Sequence, residues 1–198
     1  MPRISRAAVF ASLIGSVGLL FGSLAAAQQV PKATATPPAA ASPGAAPDTT
    51  TASFGDWTLR CDRRMDVTPP QRFCELAHVV QKPGDANILG QFAVGRVARN
   101  DPLKFTTVLP VNVALKTLPR LVADGPEPVS VDLAWSRCLV GACFADATAT
   151  DEVLKRLRSR TEPGRIVYRD GTDREASLPI SFRGLAQALD ALDREPAN

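Results

Sequence analysis

The chain has 198 residues, 45% hydrophobic and 22% charged, and its 23 Lys and Arg against 20 Asp and Glu leave a formal charge of +3. That balance is that of an ordinary globular protein and excludes a disordered or collagen-like chain. With Arg3 and Arg6 in a segment expected to be removed, the rest is close to neutral, which argues against a nucleic-acid binder, and the single histidine excludes multi-histidine metal centres.

Met1 to Arg6 form a short basic start, Ala7 to Leu24 an uncharged and largely apolar run, and Ala25-Ala26-Ala27 a small-residue site before Gln28. Together they predict a secretory signal peptide over residues 1–27, cleaved after Ala27. The rival is an uncleaved membrane anchor, since 7–27 is about long enough to span a bilayer, but Gly15, Gly18, Gly22 and three serines dilute it. The first cysteine is Cys61, so no lipidated cysteine follows the apolar run. Residues 28–53 are dominated by Pro, Ala, Thr and Ser and cannot bury enough apolar surface to offset the entropy of ordering. They read as a disordered linker.

Residues 54–192 fit a single domain, with 193–198 a flexible tail. Its pattern is mostly of period two. Trp57, Leu59 and Cys61 alternate with Thr58, Arg60 and Asp62, and Val129, Val131, Leu133 and Trp135 alternate with polar or small residues. Further strands are expected over 73–80, 88–97, 103–109, 143–148, 165–169 and 176–182, with Asp170-Gly171 as a hairpin turn between the last two. Thr150 can cap a helix with Asp151 and Glu152 in its first turn, Arg156, Arg158 and Arg160 further along, a stripe of Val153, Leu154 and Leu157, and a stop at Pro163-Gly164. A second helix is expected over 183–192. The expected architecture is mainly β, an antiparallel sandwich or barrel with one or two short helices.

Four cysteines in an exported chain predict two disulfides. Of the three pairings allowed, Cys61 with Cys74 and Cys138 with Cys143 is preferred, because the second pair brackets Leu139-Val140-Gly141-Ala142, a tight turn between strands. A redox or metal role for Cys138 and Cys143 is disfavoured by a spacing wider than C-x-x-C and by the absence of a nearby histidine.

His78, beside Leu76, Ala77, Val79 and Val80, reads as a satisfied core or edge residue rather than a general base, since no G-x-S-x-G or H-E-x-x-H pattern accompanies it. No phosphate-binding glycine motif is present. Lys155, Arg156, Arg158, Arg160, Arg165, Arg169, Arg174 and Arg183 gather in the C-terminal third but are interleaved with acids, so a solvated face is expected, with a weak anion-binding patch as the alternative. Trp57 and Trp135 are expected to fill core. No catalytic, cofactor-binding or metal-ligating set is nominated.

Phe54-Gly55-Asp56-Trp57 with Arg60-Cys61, Cys74, Leu109-Pro110 with Asn112-Val113 and Leu115, Asp124-Gly125, Arg137-Cys138 with Gly141 and Cys143, then Pro179, Ser181 and Gly184, form an ensemble. It resembles the invasion-associated locus B family of exported bacterial proteins over essentially the whole domain. Gly141 stands one residue earlier than is usual there, and Leu185 replaces a frequent aromatic. The resemblance implies an immunoglobulin-like β sandwich in a periplasmic, secreted or outer-membrane-associated protein. The family is linked to host-cell invasion in some pathogens, and no catalytic residues carry over.

The expected function is therefore non-enzymatic, through contacts with an unidentified protein or envelope component, with no nucleic acid, no cofactor and no membrane span after signal cleavage. A periplasmic client-binding or stress factor is the alternative, and a hydrolase or redox enzyme a third class.

Overall fold

The computed structural model describes residues 47–195 apart from 67, 69, 85 and 97–100. The expected signal peptide, most of the expected linker, Val97 and the last three residues of the expected tail lie outside them.

The elements in order are β1 (Thr49–Phe54), β2 (Trp57–Arg64), β3 (Gln71–Gln81), β4 (Ile88–Arg96), β5 (Lys104–Leu109), β6 (Arg120–Ala123), β7 (Val129–Asp132), β8 (Ala134–Leu139), β9 (Ala142–Thr148), α1 (Asp151–Arg158), β10 (Gly164–Arg169), β11 (Glu175–Ile180) and α2 (Leu185–Arg194). Every strand pairing is antiparallel. One sheet has seven strands in the order β1-β2-β3-β4-β5-β9-β8, and the other has four in the order β11-β10-β6-β7. The expected β sandwich is what forms, with two short helices.

Alternation builds the core. Trp57, Leu59 and Cys61 of β2, Cys74 and Leu76 of β3, Phe92 and Val94 of β4, and Phe105 and Leu109 of β5 turn inward from the large sheet. Leu121, Ile166, Leu178 and Ile180 meet them from the small one in one continuous cluster. Phe92 lies between Trp57 and Phe105, edge-on to the first and stacked on the second. Leu185, Ala188, Leu189 and Leu192 of α2 complete the cluster beside β1, β2 and β3.

Several boundaries differ from the sequence reading. β1 starts at Thr49, inside the expected linker, because the three threonines pair their backbones with Cys61, Arg60 and Asp62 of β2 although their side chains bury little. The single strand expected around Val129 to Trp135 breaks at Leu133. That fully buried residue, whose N–H bonds to the Pro119 carbonyl, carries the chain from the small sheet into the large one. β6 was not anticipated, since four residues are too few to display a period.

α1 has its expected cap, with Thr150 Oγ1 accepting from Val153 N–H at 3.4 Å, but ends at Arg158 rather than at Pro163. Asp170-Gly171 is not a two-residue turn. β10 and β11 pair out to Arg169 and Glu175, and the Asp170 carboxylate caps the intervening loop by accepting from Thr172 and Arg174. The expected tail is engaged at its start: α2 runs to Arg194, and Asp193 and Glu195 pair with Arg96 and Arg72.

Candidate functional site

The residues of the F-G-D-W opening converge with the β11–α2 connection, more than a hundred residues later. Gly55 takes φ 58° in the β1–β2 turn, and Asp56 N–H bonds to the Arg183 carbonyl at 3.1 Å. The Asp56 carboxylate accepts from Ser181 Oγ at 2.6 Å and from two nitrogens of the Arg183 guanidinium, Nε at 3.1 Å and Nη2. Trp57 Nε1–H reaches the Ser181 carbonyl at 2.9 Å. Gly184, at φ 88°, passes so close that a Cβ there would sit 2.0 Å from the Phe54 carbonyl oxygen. Only glycine allows this approach. The bonds from Arg183 and Ser181 hold the Asp56 carboxyl down at about 2.

His78 lies in the same latch, on the inward face of β3 with its ring 5.7 Å from that of Trp57. Ser181 N–H donates to Nε2 at 3.2 Å, so Nε2 carries no proton. Nδ1 then bears the hydrogen and donates to the Asp56 carbonyl at 3.0 Å. Ser, His and Asp therefore meet, but not as a triad. Both imidazole nitrogens are occupied by backbone groups, and Ser181 Oγ donates to a carboxylate too weakly basic to activate it. This trio fastens the sheet edge to α2, in keeping with the structural reading of His78.

The cysteines pair in register. Cys61 faces Cys74 across β2 and β3 with sulfurs 2.08 Å apart, and Cys138 faces Cys143 across β8 and β9 at 2.06 Å. Glu195 approaches the first pair, but sulfurs bonded to each other offer no thiolate to a metal. Trp57 is fully buried as expected, while Trp135 is only partly buried and donates to the Thr117 carbonyl at 3.0 Å.

The basic C-terminal third is largely consumed internally. Arg156, Arg158, Arg165, Arg169, Arg174 and Arg183 each pair with a carboxylate, and Arg160 donates to the carbonyls of Asp124 and Glu127. Of the eight, Lys155 alone has no such partner among the described residues.

A different feature stands free at the end of the large sheet that carries the latch. Ile88 and Leu89 open β4 opposite the end of β3, Val79 lies two residues back on β3, Val111 follows the end of β5, and Leu139 and Val140 form the β8–β9 tip, so the six gather in an apolar row along one end of the sheet. All six are exposed, Ile88 to 61%, and Leu115 and Leu118 lie exposed in the loop after Val111. At ~4.8 Å between strands the row spans roughly 19 Å. Such a concentration of large apolar residues makes this end the candidate site for contact with a partner. The sequence reading missed it because each residue sits at a strand end or turn, where period two stops informing. The one available signal was Leu139-Val140 in a turn, where polar residues are usual.

Comparison with known proteins agrees with this architecture. The family described as Invasion associated locus B (IalB) protein matches residues 57–193. The crystal structure of invasion associated protein b from Bartonella henselae superposes with a TM-score of 0.61 at 13% identity, covering 72% of this chain and 94% of that one. At that identity the likeness speaks for the fold. The comparison with curated proteins finds no match.

Proposed function

Since this chain belongs to the invasion associated locus B family, we propose that it is an exported, non-enzymatic protein that acts through contacts made by the apolar end of its large sheet. The row of Val79, Ile88, Leu89, Val111, Leu139 and Val140 carries this reading: exposing that much aliphatic surface is costly unless something covers it. The row is formed from strand ends and a hairpin tip, an extended apolar strip that suits contact with a surface or another protein rather than a small substrate. The wiring of Ser181, His78 and Asp56 supports the non-enzymatic part.

Export rests on the signal-like residues 1–27 and on two cysteine pairs at bonding distance, which persist in oxidising compartments. Among the described residues no helix is long and apolar enough to cross a membrane. The compartment proposed is the periplasm or the exterior, with outer-membrane association through the apolar row. The alternative, a periplasmic factor that binds client proteins, would use the same row.

The test is fractionation of producing cells, with protease added to intact cells and the mass of the mature protein measured. Mature protein lacking residues 1–27, held by the envelope or exposed outside it, is the expected result. Protected protein free in the periplasm would favour client binding, and full-length protein in the inner membrane would refute the export reading.

A further inference from the structure

The outer face of the large sheet is not flat. Ala93 and Gly95 of β4 put almost no side chain above the backbone, while Phe73 and Glu75 of β3, Thr106 of β5 and Pro102 rise around them. The result is a cavity of about 320 Å³, the lower end of the range that holds small ligands. A side chain at Gly95 would close it from below, since a Cβ there would already lie 3.0 Å from Glu75 Cβ.

Glu75 is the unusual member. It is partly buried, and that burial pushes its carboxyl above the ordinary value even with Arg60 facing it in register on β2. The cations around it are engaged elsewhere: Arg60 with Asp62 at 2.8 Å, Arg96 with Asp193 at 3.4 Å, and Lys104 with Asp146 at 3.8 Å. Glu75 itself has no hydrogen bond or ion pair among the described residues. A partly desolvated carboxylate lacking a donor is unfavourable, and a charged donor is what best relieves it. Phe73 beside it supplies an aromatic wall of the kind that favours an ammonium group.

We propose that this cavity binds an alkylammonium group, with the ammonium on the Glu75 carboxylate and the alkyl chain over Ala93 and Gly95 against Phe73. Asp101 lines the cavity too, but so do Arg96 and Lys104; two carboxylates are too few oxygen ligands for a divalent cation, and the cavity has room for several methylene groups. The group could come from a free alkylamine or from a lysine side chain of another protein.

The test is titration of the full, oxidised chain with 1,5-diaminopentane, with Nα-acetyl-lysine methylamide and with 1-pentanol, followed by amide NMR. Saturable shifts at Ala93, Gly95 and Glu75 with one or both amines, and none with the alcohol, are expected. Binding of the diamine alone identifies a free amine, and binding of the lysine derivative identifies a protein side chain. Glu75→Gln, keeping the wild-type spectrum elsewhere, should weaken binding tenfold or more. Absence of saturable shifts with both amines, equal binding of 1-pentanol, or undiminished binding by Glu75→Gln would each overturn the proposal, and the alcohol comparison needs no variant.

Discussion

Asp56 shows how one carboxylate can tie two distant segments. Its carboxyl is held down at about 2 in the folded chain against an ordinary 3.8, first by Arg183 and then by Ser181. The unfolded chain therefore takes up its proton first as the solution is acidified. The stability that Asp56 contributes is complete above about pH 4 and is lost as the pH falls toward 2. Urea melts of wild type and Asp56→Asn between pH 2 and 6 should differ most at the top of that range and converge at its foot. Asp170, held at about 2 by Thr172 and the Arg174 backbone, leaves a residual slope in the variant. Gly184→Ala should destabilise the fold by about 1–3 kcal/mol or more, because φ 88° is strained for alanine and its Cβ would strike the Phe54 carbonyl. A wild-type melting temperature for that variant would show that the latch is looser than described. For His78, a long-range proton–nitrogen NMR spectrum should show Nε2 unprotonated and Nδ1 bearing hydrogen. None of this was legible beforehand: Asp56, Ser181 and Gly184 stood out as parts of a resembling pattern, but nothing in spacing tells that residues 125 apart share a hydrogen bond.

At the scale of elements, local signals read well and long-range ones did not. Alternation at Trp57-Leu59-Cys61 identified a strand and its inner face, and Thr150 with Asp151 and Glu152 identified a helix start, because each pattern records its own burial or capping. The break at Leu133 was invisible, since a residue crossing between sheets is as apolar as one within a strand. β1 was hidden because Thr49 to Thr51 are held by backbone pairing rather than by buried side chains.

The two cysteine pairs yield a graded prediction. Peptide mapping without reduction should link Cys61 to Cys74 and Cys138 to Cys143. Their separations of 13 and 5 residues imply losses of about 3 and 2 kcal/mol on replacement by serine in the chain-entropy account. The second replacement should also raise hydrogen exchange locally at Leu139 to Ala142, because that pair closes the hairpin tip. A link from Cys61 to either Cys138 or Cys143 would be incompatible with the sheet order.

For the whole molecule, the fold places two kinds of chemistry at one end of the large sheet. A polar latch fixes β1, β2 and β3 to α2, and next to it an aliphatic row projects from β3, β4, β5 and the β8–β9 tip. Membership of the family and the sandwich could be anticipated from the sequence. The row could not, because it exists only once the register aligns strand ends that lie up to about sixty residues apart in the chain. Compared with the wild type, the most direct test is a chain with Ile88→Asp, Leu139→Asp and Val140→Asp, expressed in the native producer and followed by fractionation and by melting. These positions are exposed, so the melting temperature should stay near that of the wild type while the protein moves from the envelope-bound or surface fraction into solution. An unchanged distribution with an unchanged melting temperature would contradict the claim that this end makes the functional contact.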